Sequence, residues 1–382
     1  MTADITLRGP GDIVAVLPYH LGYHPRDSVV AVSLRGRLLG LVARADIPPP
    51  GHEDAVASWL VGPLVRDGAS SVIVVGFEDE PDAARPVVLC VAEHLERAGV
   101  EVLDVTVVRD GRRFSPRCAK DCCPPEGVVL PEPADVPGVA EYVARGRSPL
   151  VSRDAVDGLV EPDRDASQGV ADAIAARGTM SRRRLRRRSA AAWAVALRHP
   201  CADDAGGGVA DHAGRGQSPA RARGGPAASS VLADLALGLH DIAWRDGLIA
   251  WLAPGVLPVE DLEAAAVRLL ESSLPAWGGM GFDSERGAGR DELLQRLLML
   301  CRCMPDEVPD EAAAVCTVVA HVAWAGGDGS LARTAVDRAL RLVPDYRLAR
   351  LLERLIDNGI RFPLPERDGE PTGESGMLDR AG

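Results

Sequence analysis

One uninterrupted apolar segment constrains the fold more than any other feature of the sequence. Ser71-Val-Ile-Val-Val-Gly-Phe77 contains no polar residue after its first position, which is typical of a strand covered by other structure on both faces. Segments with a helical spacing of apolar residues flank it, at residues 56–64 and 84–95. Strand and helix therefore alternate. Two strand-helix-strand crossovers predict a mixed sheet, with its parallel part wound right-handed and helices packed over it.

Two tight turns predict antiparallel neighbours in the same sheet. Residues 28–34 and 38–46 are rich in Val, Leu and Ala, and the Arg-Gly-Arg sequence at 35–37 between them suits a hairpin. Residues 101–115 are a further strand pair joined at Asp110-Gly111, a dipeptide that favours a hairpin turn.

After Pro131 the pattern changes to that of helices. The predicted helices cover residues 136–146, 152–160, 166–198 with a break at Gly178, 231–251, 259–272, 291–303, 310–325, 330–342 and 346–358. We therefore predict an α/β mixed sheet domain followed by an all-α helical domain. The expected divisions are an α/β domain at 1–131, a helical connection at 132–200, a flexible linker or loop at 201–228, the α-helical domain at 229–362 and a disordered tail at 363–382.

One late segment has the pattern of a single tetratricopeptide-like helical hairpin. Gly327-Asp328 opens a turn, small and apolar residues then line one face of a helix, and Pro344 ends it. Trp324 lies beside the turn rather than at the start of the preceding helix. Only one such unit is present, whereas a free-standing array needs about three or more repeats. The favoured interpretation is an ordinary hairpin in a helical bundle, and the alternative is a groove for a peptide.

Charge and composition disfavour two classes of function. The chain has 382 residues and a formal net charge of −12, which disfavours general nucleic-acid binding because phosphate neutralisation needs a basic surface. No apolar stretch approaches the ~20 residues needed to cross a bilayer, and the first residues lack the pattern of a signal peptide. We expect a cytoplasmic protein whose eight cysteines stay mostly reduced.

A cluster of cysteines is the first candidate site. Cys118, Cys122 and Cys123 precede a Pro-Pro-Glu-Gly turn. Three thiols do not complete a closed zinc site, which needs four ligands, and the adjacent Cys122 and Cys123 do not easily both reach one tetrahedral ion, so no metal ligand set is predicted unless His20 and His24 reach the turn. The remaining interpretations are packed thiols and a redox pair, and the cations at Arg117 and Lys120 would favour the reactive thiolate.

Polar residues at the ends of the predicted strands are the second candidate site. Arg44 and Asp46 are two apart on one strand and therefore point to one face, at a strand end where open α/β sheets bind ligands. The candidate pocket comprises Tyr19, His20, His24, Asp27, Ser28, Arg44 and Asp46, with Glu78, Asp79 and Glu80 following the next strand. We treat Pro18 to Ser28 as a loop that packs against the cysteine turn. The favoured alternative is a structural Arg–Asp pair with solvated acids.

The third candidate is a run of six arginines within residues 182–188. It would attract phosphate or an acidic partner. The favoured interpretation is a solvated helix face that pairs with the chain's own acids, because aromatic stacking partners are nearly absent nearby.

Several of these segments together resemble a known family. Leu17-Pro-Tyr-His-Leu-Gly-Tyr-His-Pro-Arg-Asp-Ser-Val-Val30, Arg44-Ala-Asp-Ile-Pro48, Cys122-Cys-Pro-Pro-Glu-Gly127 and Asp241-Ile-Ala-Trp-Arg-Asp246, with residues 324–352, are similar to the landmarks of an actinobacterial family, the domain-of-unknown-function 4192 family. The resemblance covers nearly the whole chain, and it implies no established reaction, substrate or cofactor.

The sequence contains no Gly-rich phosphate loop, no Gly-x-Ser-x-Gly elbow and no His-Glu-x-x-His helix. Our leading hypothesis is a non-catalytic binding or regulatory protein that meets a protein partner through its C-terminal helices. The alternative is an enzyme that uses the polar cleft or the vicinal cysteines. The sequence identifies neither a cofactor nor the oligomeric state.

Overall fold

A computed structural model describes residues 9–35, 38–118, 123–144, 146–198, 226–274 and 287–362. Six strands form one mixed sheet in the order β2-β1-β3-β4-β5-β6. They are β1 Ser28–Arg35, β2 Leu38–Asp46, β3 Ser71–Phe77, β4 Glu101–Arg109, β5 Arg112–Phe114 and β6 Val128–Val129. The predicted flexible linker lies almost entirely outside the described residues, and so does the predicted tail.

The helices begin and end as follows: α1 Pro10–Leu21, α2 Glu53–Arg66, α3 Arg85–Arg97, α4 Pro137–Ala144, α5 Arg153–Asp157, α6 Arg164–Ser167, α7 Val170–Ala175, α8 Arg182–Arg198, α9 Pro226–Gly238, α10 Ile242–Leu252, α11 Ala264–Ser273, α12 Gly287–Arg302, α13 Pro309–Ala325, α14 Gly329–Leu342 and α15 Arg347–Asp357. The prediction of a mixed sheet followed by helices is confirmed. None of the described helices combines the length and the apolar character that crossing a membrane requires.

The pairing of the strands follows the predicted turns and crossovers. β1 lies between β2 and β3 and is antiparallel to both, while β3 and β4 are parallel and joined through α3. β3 is buried along its whole length, as its apolar sequence predicts. The turn between β4 and β5 places Asp110 and Gly111 at φ values of 51° and 68°, a left-handed conformation that suits a tight hairpin.

Helices cover both faces of the sheet. α2 and α3 pack on one face, where Val72 and Val74 meet residues such as Leu60 and Val88. α1 and the helical half cover the other face, where Ile73 and Val75 belong to a second apolar cluster. These two layers are the expected surroundings of a strand that is apolar on both sides.

The opening segment is helical where the sequence suggested a loop. α1 includes Pro18, Tyr19 and His20, and it ends at Gly22 in the left-handed conformation with φ 81°. Its buried residues include Ile13, Leu17 and Leu21, which recur at helical spacing. The prolines concealed this periodicity, although Pro10 stands in the first turn, where a missing N–H costs nothing.

Two predicted helices are interrupted. The expected helix at 231–251 is divided into α9 and α10, because the Asp241 carboxylate accepts the backbone N–H of Trp244 and caps α10. The expected basic helix at 166–198 consists of α6, α7 and α8. Its break includes Gly178.

The C-terminal helices form a close-packed hairpin. α13 and α14 pack against each other through fully buried small residues, among them Ala320, Ala335 and Ala339, which permit close approach. On α15, Leu352 is buried but Leu351 is 54% exposed, so Leu352 packs into the bundle and Leu351 faces solvent. The apolar cluster that holds this hairpin also contains Val30 and Val75 of the sheet. The domain boundary at Pro131 stays a prediction.

Candidate functional site

The predicted Arg44–Asp46 pair lies at the end of β2. A nitrogen of the Arg44 guanidinium is 2.6 Å from a carboxylate oxygen of Asp46, and the two side chains are 15% and 79% exposed. Both residues therefore point to one face, as their spacing predicts. The Asp46 carboxylate therefore faces solvent, whereas the Arg44 side chain is largely buried.

Asp27 has a structural role at the neighbouring strand end. Its backbone lies at φ 39°, and its carboxylate accepts the backbone N–H of Asp79 at 3.1 Å. Its carbonyl oxygen accepts the N–H of Ile47 at 2.9 Å. Because these bonds connect β1 with the ends of β2 and β3, Asp27 holds the corner of the sheet together. Arg26 adds a 2.6 Å ion pair to Asp79.

The aromatic candidates lie at the end of α1. His20 Nδ1 is 2.8 Å from the hydroxyl oxygen of Tyr142, and the ring of Tyr19 is 6.5 Å from that of Tyr142 between centroids. Burial, together with the smaller effects of the Arg147 and Arg361 charges, lowers the pKa of His20 to about 4. His20 is therefore a neutral imidazole at physiological pH.

The other candidates of this set lie elsewhere. His24 is exposed, and its backbone N–H donates to the carbonyl oxygen of Leu150 at 2.9 Å. Ser28 is fully buried at the start of β1, and its Oγ has no hydrogen-bond partner among the described residues. Glu80 is exposed. The residues of the predicted pocket therefore lie at several separate positions in the structure.

Glu78 occupies the N-terminus of α3. Its carboxylate accepts the N–H of Ala84 at 2.8 Å and that of Asp82 at 3.2 Å, and it pairs with Arg109 at 2.6 Å. The Arg109 guanidinium also lies over the ring of Phe114, 4.7 Å from its centroid. A helix N-terminus beside a parallel strand is a common anion site, and here the chain's own carboxylate fills it.

The described cysteines of the turn line a separate pocket. Cys118 and Cys123 border an open cavity of about 870 Å³ together with Arg85 and Phe114. Phe114 packs with the α2 and α3 layer, whereas the end of α1 packs on the opposite face. That Pro18 to Ser28 packs against the cysteine turn stays a prediction. Cys122 and Lys120 lie outside the described residues.

A smaller cavity lies at the junction of the sheet and the C-terminal hairpin. We call it the junction cavity, and its volume is about 150 Å³. Residues from α1, β2, α2, α5 and the α13 to α15 region line it, among them His20, Tyr23, Arg44, Trp59, Arg153, Trp324, Arg333, Asp357 and Arg361. Two of the predicted pocket residues, His20 and Arg44, thus meet here.

The junction cavity is basic. Among the described residues of its lining, four are arginines and one, Asp357, is acidic. Asp357 pairs with Arg333. The Nε atoms of Arg44 and Arg153 are buried and have no hydrogen-bond partner within the described parts of the chain. Sequence reasoning missed Arg153 and Arg333, because no local pattern connects them with β2.

The arginine run pairs with acids of the chain, as the favoured interpretation predicts. Arg186 bonds Asp241 and Glu263, and Arg188 bonds Asp234 at 2.7 Å. The hydrogen bonds that Arg186 donates to the Glu263 and Asp241 carboxylates raise its pKa. Half of the run, namely Arg182, Arg186 and Arg188, therefore connects α8 to its neighbours.

A family model described as Domain of unknown function (DUF4192) matches residues 10–362. The chain belongs to this family. The matched residues include both the sheet and the helices as far as the end of the described chain. No curated protein and no solved structure matches the chain.

Proposed function

We propose that this protein is a non-catalytic binding or regulatory protein that recognises a small anionic ligand in the junction cavity. The observation that carries the proposal is the local charge. Four arginines and one aspartate line the cavity, although the whole chain carries a net charge of −12. A basic concavity on an acidic molecule concentrates anions there.

The donors of the cavity support the same ligand class. The Nε groups of Arg44 and Arg153 are buried without a partner among the described residues, and an unsatisfied buried donor costs about 1–3 kcal/mol. A carboxylate or phosphate oxygen would satisfy such donors with charge-assisted bonds. Trp59 and Trp324 add flat apolar surface. A cavity of about 150 Å³ suits a small anion better than a dinucleotide.

The positions of the acid–base groups favour binding over catalysis. His20 lines the cavity, but the exposed His24 and the structural Asp27 lie apart from it. General acid–base catalysis needs such groups within hydrogen-bond reach of one substrate. An enzyme that uses the polar cleft or the vicinal cysteines remains the alternative.

The position of the cavity suggests how binding would be regulatory. Arg44 belongs to the sheet, whereas Arg333 belongs to the C-terminal hairpin, so one ligand would contact both. A ligand that binds more tightly when the hairpin is packed against the sheet would stabilise that packed arrangement. We propose that a protein partner recognises this packed arrangement at the C-terminal helices and the residues that follow them, where Leu351 is 54% and Ile360 is 48% exposed. We place the protein in the actinobacterial cytoplasm, where its thiols stay reduced.

The test is a titration of the full chain with inorganic phosphate, pyrophosphate and citrate at constant ionic strength, followed by calorimetry and tryptophan fluorescence. We expect saturable binding of at least one anion, and a loss of about tenfold or more in affinity for Arg153→Gln. Arg85→Gln is the matched control, because Arg85 is 53% exposed in its side chain and lines the other pocket.

Equal affinities of the two variants would contradict the proposal, and so would a response that sodium chloride reproduces. The enzyme alternative is tested in the same samples by nuclear magnetic resonance. Consumption of pyrophosphate or citrate over hours would favour catalysis, whereas an unchanged ligand favours binding.

A further inference from the structure

A second group of chemically active side chains lies outside the lining of the junction cavity, between α2 and α3. Asp54 belongs to the first turn of α2, and Cys90 and His94 belong to α3. One ligand atom from each of the three residues lies within 4.8 Å of the other two. The three donors therefore converge on one point at the surface of the α2 and α3 layer.

We propose that Asp54, Cys90 and His94 bind a divalent transition-metal ion of the zinc class. The donors are a carboxylate oxygen, a thiolate sulfur and an imidazole nitrogen, which is the mixed set that Zn²⁺ accepts. This inference is independent of the proposed function, because no residue of the trio lines the junction cavity.

The helix geometry preforms the site. Cys90 and His94 are four residues apart on α3 and therefore lie on one face, one turn above the other. His94 Nε2 is 2.7 Å from a carboxylate oxygen of Asp54. Donor atoms bound to one tetrahedral zinc ion lie roughly 3.3–3.7 Å apart, given bonds of about 2.0–2.3 Å. The present separations, from 2.7 Å up to the 4.8 Å limit, thus need only small side-chain rotations.

The burial of the donors fixes the kind of site. The His94 side chain is only 14% exposed, whereas that of Asp54 is 79% exposed. Cys90 and His94 would bind the ion on the side that faces α3, and Asp54 would bind it from the solvent side. Three protein ligands leave a fourth position for water, so this is an open site and not a closed structural one.

The surrounding charges favour a cation. Glu53, Asp54 and Glu93 all act on Cys90, against a single opposing charge from Arg97. Arg97 is itself 3.9 Å from the Glu93 carboxylate. Burial raises the pKa of the Cys90 thiol, and these acidic neighbours raise it further.

The proton balance of binding follows from the donor set. A thiol binds the metal as the thiolate, so one metal ion enters as one proton leaves the sulfur for solvent. The Nε2 proton that points to the Asp54 carboxylate moves to Nδ1, so that Nε2 and the carboxylate supply lone pairs to the ion. Affinity should therefore rise with pH.

The apolar core beneath the site does not depend on the metal. Val87, Val91 and Leu95 of α3 pack with Leu60 and Leu64 of α2. The apo protein should consequently fold, and metal should raise its melting temperature without being required for folding.

The experiment uses Co²⁺ as a spectroscopic substitute for Zn²⁺ on the full, chelator-treated chain. We expect one Co²⁺ per chain, a near-ultraviolet absorption from thiolate-to-cobalt charge transfer, and displacement of the signal by Zn²⁺. Cys90→Ser should abolish the absorption. His94→Gln should weaken binding, and it serves if the Cys90 variant fails to fold.

The matched control replaces Cys118, Cys122 and Cys123 together by Ser, because this group of thiols is the other candidate metal site that the sequence offers. This triple variant should keep the absorption. The proposal is overturned if Cys90→Ser retains the signal, if the triple variant loses it, or if the wild-type chain binds no Co²⁺ through sulfur.

Discussion

Arg186 donates two hydrogen bonds to Asp241, from Nε at 2.6 Å and from Nη2 at 2.9 Å, each to a different carboxylate oxygen. The two side chains are 8% and 4% exposed. The same carboxylate caps α10 through the N–H of Trp244. One acidic residue therefore connects α8 to the start of α10, and this arrangement explains why the helix predicted across Asp241 is broken there.

Removal of the Asp241 carboxylate should destabilise the fold strongly. Asp241→Ala leaves the Arg186 guanidinium buried with Glu263 as its remaining acidic partner, and loss of one member of a buried pair costs about 3–5 kcal/mol. Asp345→Ala is the control, because its ion pair with Arg350 is exposed and should contribute about 0–1 kcal/mol. Denaturant unfolding measures both values. Similar midpoints for the two variants would show that the buried pair adds little.

The stability of the protein should fall as the pH decreases from about 6.5 to about 4. Burial lowers the pKa of His321 from 6.5 to about 4, and its Nδ1 donates to the carbonyl oxygen of Thr317 at 2.8 Å. Within this window the unfolded chain binds a proton that the folded chain does not, so acid favours unfolding. His321→Gln should reduce the dependence of the free energy of unfolding on pH, while the contribution of His20, whose pKa is also lowered to about 4, stays. The exposed His52→Gln should not, and an equal slope in all three proteins would contradict the assignment.

A methyl group at Gly76 should disrupt the contact of β3 with α3. A Cβ there would lie 2.6 Å from Ala84 Cβ and 2.9 Å from a methyl group of Val88. Gly76→Ala should therefore cost about 1–3 kcal/mol by overpacking. Gly178→Ala is the matched control, because a Cβ at Gly178 meets no atom within 4 Å. A thermal melt in which Gly76→Ala matches the wild type would mean that α3 can move away freely.

Alkylation should separate the cysteines by the pKa of their thiols. Burial raises the pKa of Cys303 to about 11 and also raises that of Cys90, so both should carry little thiolate at neutral pH. Cys118 lies beside Arg85 and Arg117 in its pocket, and we expect it to react faster. Peptide mass spectrometry of the chelator-treated native chain measures the rates. Cys90 reacting as fast as Cys118 would remove the basis for this order.

Local patterns in the sequence predicted the sheet because strand signals are local. The apolar run of β3 and the Asp110-Gly111 turn both depend on neighbouring residues alone. α1 was missed because its prolines suggested a loop. The two-residue strand β6 is too short to show any period.

The candidate sites depend on contacts between distant segments, which no local pattern reveals. Arg44 and Asp46 share a strand and were found, whereas Arg153 and Arg333 reach the junction cavity through tertiary packing. The Cys90 and His94 spacing was visible in the sequence, but Asp54 joins them only through the packing of α2 on α3.

The apolar cluster shared by the sheet and the helices also affects how the chain must be made. Val30 and Val75 of the sheet belong to an apolar cluster that also contains residues beyond position 190, such as Trp193 and Trp244. During synthesis, β1 to β4 leave the ribosome well before these residues do. One apolar face of the nascent sheet therefore stays partly exposed to solvent, and prone to self-association, until the later helices have been synthesised. We therefore expect the nascent chain to depend on a chaperone until its last helix has packed against the sheet.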